Sequence, residues 1–334
     1  MPEPTPHLFF ETVKAYQSTV ALKAAIELNV FSAISEGHTN PALMAKRCGA
    51  TERGVRILCD YLTVKGFLAK SEDLYRLTPD SDTFLNPKSP EYIGSAIAFL
   101  LSDPMQNAFQ NLTTAVQKGG TALSQEGTLA PDHPAWTAYA KGMAPVMQFP
   151  AQLLAEHLDP NADHPLTVLD IAAGHGLFGL AFAQRNPQAT ITALDWPNVL
   201  TVAQTHAQER GLSDQFKTLS GNAFETEFGE GFNIAILANI LHHFDPDTCI
   251  TLLKKVHHSL DTNGRVAILE FIPNNDRISP PEDAAFALVM LATTPQGDVY
   301  TFDELNTMCL RSGFSHTTLH ALGHGEQQVI IGHK

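Results

Sequence analysis

The second half of the chain alternates short β-rich runs with helical stretches, and that rhythm leaves few folds open. Thr167–Ile171, Thr190–Asp195, Gln215–Leu219, Ile234–Ala238 and Val266–Phe271 are strand candidates. Leu177–Asn186, Asn198–Arg210 and Pro246–Leu260 carry apolar residues at helical spacing between them. Strand–helix–strand spacing of this kind predicts an α/β domain, a mostly parallel sheet with helices on both faces. Two further strands, Ser315–His320 and Gln327–Gly332, are separated only by Ala321–Glu326. A parallel crossover needs roughly a dozen residues or more, so this last pair must be antiparallel.

The first half reads differently. Phe9, Val13, Tyr16, Val20 and Ala24 recur at helical spacing from Leu8 to about Asn29. Asn40-Pro41 opens a short helix closed by Gly49, and Thr51-Glu52 opens another that carries Val55, Leu58, Leu62 and Val64 and ends at Gly66. Phe67–Ala69 and Leu74–Leu77 then flank the charged turn Ser71-Glu72-Asp73. Helix, helix and hairpin outline a winged helix. Residues 90–160 read as helices interrupted by the Gly/Ser/Thr-rich piece Gly119–Thr128, and Pro160–Pro165 marks a boundary. The predicted organisation is a winged-helix-like unit at 1–100, a helical connector at 101–164 and the α/β domain at 165–334.

A winged helix commonly binds DNA, but this chain sets 21 Lys+Arg against 35 Asp+Glu, a net charge of −14. Phosphate neutralisation needs a basic surplus, so a dimerisation or lid role is favoured over nucleic-acid binding. No apolar stretch approaches the roughly 20 residues that span a bilayer, and no signal peptide is visible. Cys48, Cys59, Cys249 and Cys309 are scattered, without a C-x-x-C pair. A soluble, cytoplasmic protein that contacts neither nucleic acid nor membrane is the expectation.

Chemistry concentrates at the strand ends, where open α/β sheets bind ligands. The first strand runs into Ala172-Ala173-Gly174-His175-Gly176-Leu177-Phe178-Gly179. Gly174, Gly176 and Gly179 satisfy G-x-G-x-x-G, which keeps a nicotinamide-dependent oxidoreductase open. Asp170, however, precedes the glycines, and an acid there suits a cationic or amine-bearing ligand better than a pyrophosphate. Asp195 closes the second strand, where an acid can accept both hydroxyls of a ribose. After the fourth strand come Asn239-Ile240-Leu241-His242-His243-Phe244-Asp245. A neutral imidazole, with an ordinary pKa of about 6.5, suits proton abstraction from a hydroxyl. Adjacent histidines chelate one ion poorly, so no metal is expected at His242, His243 and Asp245. His316, His320, His324 and His333 read as surface. Trp136, Tyr139, Met143 and Met147 share one helical face, and Phe286, Val289 and Met290 another; either stripe is core or the wall of an apolar pocket.

Taken in order, these motifs resemble those of the small-molecule O-methyltransferases that use S-adenosylmethionine (SAM), of the caffeate/hydroxyindole type, whose bacterial members methylate phenolic natural products. The family's D-x-G-G-G-x-G is matched by Asp170–Gly176, its D-L-P by Asp195-Trp196-Pro197, and its G-D-x-F by Gly221-Asn222-Ala223-Phe224, with Asn222 in place of the acid. Its L-H-D-W falls on Leu241-His242-His243-Phe244, and a lysine of plant members falls on Ala238. The resemblance covers essentially the whole chain, because such enzymes carry an N-terminal winged-helix-like dimerisation domain. It implies a Rossmann-like SAM fold, a homodimer and a small aromatic acceptor. It implies that SAM is held by Asp170, Ala172, Gly174, Gly176, Asp195 and Trp196, with Asn222, Ala223, Phe224 and Asn239. It makes His242 the general base, oriented by Glu270, with His243 a second base or a hydrogen-bond donor to the acceptor. The family's F-x-x-x-M substrate pair falls on Tyr139 and Met143. A further glutamate of plant members is missing, Asp298 being its nearest substitute. N- or C-methylation, and non-methylating chemistry with bound SAM, stay open at this point.

Overall fold

The computed structural model describes residues 3–124, 127–129, 133–159, 161–322 and 327–334, which divide into two compact units, 1–97 and 98–334. The first contains α1 (His7–Glu27), α2 (Val30–Ser35), α3 (Pro41–Cys48), α4 (Glu52–Val64), the hairpin β1 (Leu68–Ser71) and β2 (Leu74–Leu77), and α5 (Pro79–Phe84). Asn40 and Thr51 cap α3 and α4 by accepting the amides of Leu43 and Gly54, as their side-chain chemistry predicts. Phe31, Met44, Leu62 and Tyr75 fill the centre of this unit. The apolar periodicity of α1 does form a helix, but its apolar face is not interior. Leu8, Phe9, Phe10, Val13, Tyr16 and Val20 are all exposed, and only Ala25 is fully buried. Together they form an exposed apolar face on one helix.

The second unit continues through α6 (Ile97–Leu100), α7 (Asp103–Gln110) and α8 (Leu112–Lys118) to the long α9 (Pro134–Leu158). The stretch 90–160 reads as helical, and α9 runs unbroken through two interior prolines, Pro145 and Pro150. An interior proline costs about 3 kcal/mol. Ala144, Met147, Ala151, Leu154, Ala155 and Leu158 are all buried in the core on one stripe, and burial of that stripe offsets the missing backbone bonds.

Beyond it lie β3 (Leu166–Ile171), α10 (Leu177–Arg185), β4 (Ala189–Asp195), α11 (Pro197–Glu209), β5 (Phe216–Ser220), β6 (Phe232–Ala238), α12 (Pro246–Ser259), β7 (Leu260–Glu270), α13 (Pro281–Thr293), α14 (Phe302–Arg311), β8 (His316–Leu322) and β9 (Gln327–His333). The sheet order is β5-β4-β3-β6-β7-β9-β8. The first five strands of that order are parallel, and β9 is antiparallel to both β7 and β8. Alternate residues feed two cores, as a pleated strand demands. Val168, Ile234 and Ile236 pack with Leu154 and Phe182 on one face. Leu169, Ala235 and Ile268 pack with Leu252, Val256 and Leu305 on the other.

Register places the reactive loops together. Ile171 pairs with Leu194 and Leu237, and Ala238 with Leu269. The residues after β3, β4 and β6 therefore emerge side by side with Glu270 at the end of β7. Among the described residues, no helix is long and apolar enough to cross a membrane. Pro160 of the predicted boundary, His324, and residues 323–326 of the last turn lie outside the described residues.

Candidate active site

Glu270, the last residue of β7, organises the turn that follows β6. Its Oε1 accepts the amides of Ile240 at 2.9 Å and Leu241 at 2.7 Å, and its Oε2 pairs with Nδ1 of His242. Both side chains are buried. A carboxylate can only accept, so Nδ1 carries the proton and the lone pair of the ring lies on Nε2. The turn is braced from other directions as well. Cys249 reaches the Leu241 carbonyl, Tyr300 donates to the Phe244 carbonyl at 2.5 Å, and the amide of Asn239 donates to Leu269. Gly297 packs so closely that a Cβ there would lie 2.4 Å from the His242 carbonyl oxygen. The edge of His242 meets the ring of Phe286 at 5.0 Å, and Phe286 stacks on Phe271 at 3.9 Å.

His243 is also buried, and its Nδ1 has no hydrogen-bond partner among the described residues. Burial and the neighbouring His242 hold its pKa well below the ordinary value, so it is neutral. Its ring lies 5.2 Å from that of Trp136. Tyr139, one turn further along α9, bonds through its hydroxyl to Asn239, and burial pushes its pKa up to about 12. The Tyr139 ring stacks on His175 and covers Gly174, where a Cβ would stand 3.5 Å from it.

The glycine loop adopts the conformation its composition permits, with φ of +57° at Gly174 and +73° at Gly176, and a strained +55° at Ala172. Asp195 accepts the Gly174 amide at 2.8 Å on one oxygen and the Trp196 amide at 2.7 Å on the other. Its backbone carbonyl accepts the Gly221 amide at 3.0 Å, so the loops after β3, β4 and β5 are joined through one residue. Burial raises Asp195 to about 6 and Asp170 to about 7. Phe224 packs edge-on against Phe244 at 5.0 Å. An acid with lone pairs remaining, a loop of small residues around His175 and a half-buried aromatic ring fit a nucleoside.

Several predicted residues do other work. Asp170 is fully buried and accepts the amide of Gly179 inside α10 at 2.9 Å, so it shapes the loop from beneath. Asn222 spends its Oδ1 on the Phe224 amide, closing its own turn, and its Nδ2 on Glu225. Met147 is buried in the core against the sheet, Met143 packs on that core, and Met290 is buried. Of the two stripes, Trp136 and Phe286 make ring contacts with the histidine pair, and Tyr139 with His175 of the glycine loop. Asp298 pairs with Arg277 at 3.5 Å on the surface and does not supply a further acid. Asp245 caps α12 through the amides of Asp247 and Thr248. His316 is exposed and stacks on half-buried His333, while half-buried His320 lies against His157. Phe271, His175, Tyr300 and Lys255 are functional-looking residues that sequence reasoning misses. Only Phe271, adjacent to Glu270, carried a signal that could have found it.

Comparison with known proteins identifies a family. The O-methyltransferase domain profile matches residues 107–315, and the O-methyltransferase dimerisation domain profile matches residues 10–87. A tetracenomycin polyketide synthesis 8-O-methyl transferase of Streptomyces glaucescens is 25% identical, over 96% of this chain and 94% of the relative. A 3-hydroxy-5-methyl-1-naphthoate 3-O-methyltransferase of Streptomyces sahachiroi is 24% identical, over 98% and 95%. A solved structure from Nostoc punctiforme, provisionally assigned as an O-methyltransferase, is 52% identical with a TM-score of 0.96, covering 99% of this chain and 100% of that one. Human N-acetylserotonin methyltransferase in complex with SAM shares the fold at a TM-score of 0.86 and 20% identity, covering 100% and 98%.

Asp195 yields a pH prediction. With its ionisation near pH 6, the carboxylate is protonated below that value, which weakens the ribose contact expected of it from the sequence. Affinity for S-adenosylhomocysteine is expected to fall about tenfold between about pH 7.5 and about pH 5, and Asp195→Asn to remove that dependence. Titration calorimetry at several pH values checks this; an affinity that stays flat in the unsubstituted protein contradicts it.

Proposed function

The chain belongs to the SAM-dependent O-methyltransferases, and on that premise we propose that it methylates a phenolic hydroxyl of a small aromatic molecule, with His242 as general base. SAM, when bound, supplies an electrophilic methyl carbon on a sulfonium. The protein's part is to hold the acceptor and remove its proton. A phenol of pKa about 10 is mostly protonated at neutral pH, and a base beside it makes the oxygen a competent nucleophile. The observation that carries this reading is the Glu270 array. It fixes the Nδ1–H tautomer and turns Nε2 into an acceptor, and its negative charge stabilises the imidazolium formed after proton transfer. Trp136, Tyr139 and the Phe271–Phe286 stack supply apolar, ring-shaped walls for an aromatic acceptor. Neutral His243 offers that acceptor a hydrogen bond. One relative acts on a hydroxylated naphthoate, which supports an aromatic hydroxyl here.

For the cofactor, Asp195 takes the ribose hydroxyls, the Ala172–Gly176 loop with Asn239 receives the amino-acid end, and Asn222, Ala223 and Phe224 border the adenine next to Trp196. The exposed apolar face of α1, within the segment matched by the dimerisation profile, joins a second copy in a homodimer. The helix–helix–hairpin unit serves that dimer as a winged-helix scaffold. Four free cysteines, three of them buried, suit the reducing cytoplasm.

The test of the base is His242→Asn. With SAM and a panel of phenols, formation of S-adenosylhomocysteine is expected to drop roughly a hundred- to ten-thousand-fold, while calorimetric affinity for S-adenosylhomocysteine stays within about threefold. Undiminished turnover removes His242 from the mechanism, and acceptor consumption without S-adenosylhomocysteine removes methyl transfer. For the dimer, Val13→Asp with Val20→Asp is expected to yield monomers in sedimentation; an unchanged mass places the interface elsewhere.

A further inference from the structure

Lys255 stands on α12, one helix behind the histidine turn, and its ammonium points into the loop that follows β5. Nζ donates to the carbonyls of Phe224 at 2.7 Å, Ala223 at 3.0 Å and Thr226 at 3.1 Å. An ammonium has three N–H donors, and all three are spent on this one loop. Its charge also lies 4.7 Å from the ring centre of buried Phe228. Among the described residues no carboxylate lies within ion-pair distance of Nζ, so the lysine is not part of a surface charge pair.

The loop it grips is otherwise a set of short local bonds. Asn222 closes the turn through its side chain to Phe224 and through its carbonyl to Glu225 and Thr226. At one end the Gly221 amide holds the Asp195 carbonyl. At Gly221 itself, φ is +148° and a Cβ would lie 2.3 Å from the Thr226 hydroxyl, so the turn folds tightly back on itself. What no local bond fixes is the direction in which the carbonyls of residues 223–226 point. Three peptide oxygens of the segment, those of Ala223, Phe224 and Thr226, are thereby drawn to one side, toward the cation. α12 in turn is tied to the histidine turn through Cys249 and the Leu241 carbonyl.

We propose that Lys255 is a positioning residue for the cofactor: by collecting the three carbonyls it sets the loop edge against which the adenine of SAM lies. The inference rests on the reading above that residues 222–224 border the adenine. It goes further in assigning the affinity of that subsite to a residue that makes no contact with the ligand. A lysine carries this out better than a neutral side chain, because bonds from a charged donor are roughly twice as strong as neutral ones.

The test compares Lys255→Met, Lys255→Gln and, as a control on the underlying reading, Phe224→Ala, using titration calorimetry with S-adenosylhomocysteine and with adenosine. Lys255→Met is expected to weaken both probes at least tenfold and by the same factor, because both carry the adenine. Lys255→Gln keeps two amide donors and is expected to fall between it and the unsubstituted protein. A purely structural lysine would instead lower the melting temperature of the ligand-free protein and leave the affinities of the folded fraction unchanged. That outcome overturns the proposal if Phe224→Ala weakens binding. Should Phe224→Ala leave both affinities intact, the adenine reading fails and takes the proposal with it. If Lys255→Met does not fold, Lys255→Gln is judged on the same two affinities, and unsubstituted-like binding by it is decisive against the role.

Discussion

A buried carboxylate shared by two amides and an imidazole holds this site together. Glu270 loses most of its hydration at the end of β7, and an unpaired charge there would cost several kcal/mol. The amides of Ile240 and Leu241 and the Nδ1 of His242 replace the lost water. Charge-assisted bonds of this kind contribute about 1.5–3 kcal/mol each. The turn after β6 is thereby fastened to the neighbouring strand, which offsets the left-handed backbone of Asn239 at φ +56°. The same three bonds choose the tautomer of His242. Fold and chemistry meet in one side chain.

The other strand-end acids repeat the device. Asp170 takes the amide of Gly179, and Asp195 takes those of Gly174 and Trp196. Each acid ends or nearly ends a strand and accepts backbone donors from a loop or helix start beside it. Acids in these places first give the loops their shape. Ligand contact then depends on what lone pairs remain and which face the site. Asp195 is largely buried but not enclosed, whereas Asp170 lies wholly beneath α10. Their raised ionisation, near 6 and near 7, follows from the same burial. Lys255 is the complement, a cation that gathers carbonyls where the acids gather amides.

Much of this was legible in the chain. The strand–helix rhythm of residues 167–271 and the six-residue separation of the last two strands determined the parallel sheet and its antiparallel edge. Helix caps at Asn40, Thr51 and Asp245 are local chemistry and could be read locally. The His242–Glu270 pair was reachable through the resemblance, since the two are distant in sequence and register alone makes them neighbours. What escaped depended on tertiary packing. α9 stays one helix because buried alanines and leucines outweigh two prolines. A methionine stripe looks the same whether it faces a core or a pocket, and Met147 and Met290 took the core. Asn222 uses one lone pair of its Oδ1 to close its own turn, a bond that only the folded loop reveals. Nothing around Lys255 in sequence indicates that its ammonium crosses to a loop some thirty residues earlier.

The central claim is the protonation state of one ring, and nitrogen-15 NMR of the histidines in the S-adenosylhomocysteine complex near neutral pH reads it directly. The account predicts a pyrrole-like Nδ1 and a pyridine-like Nε2 for His242, an assignment that Glu270→Gln disturbs. A pyrrole-like Nε2 in the unsubstituted protein would leave no lone pair where the base must act, and would contradict it.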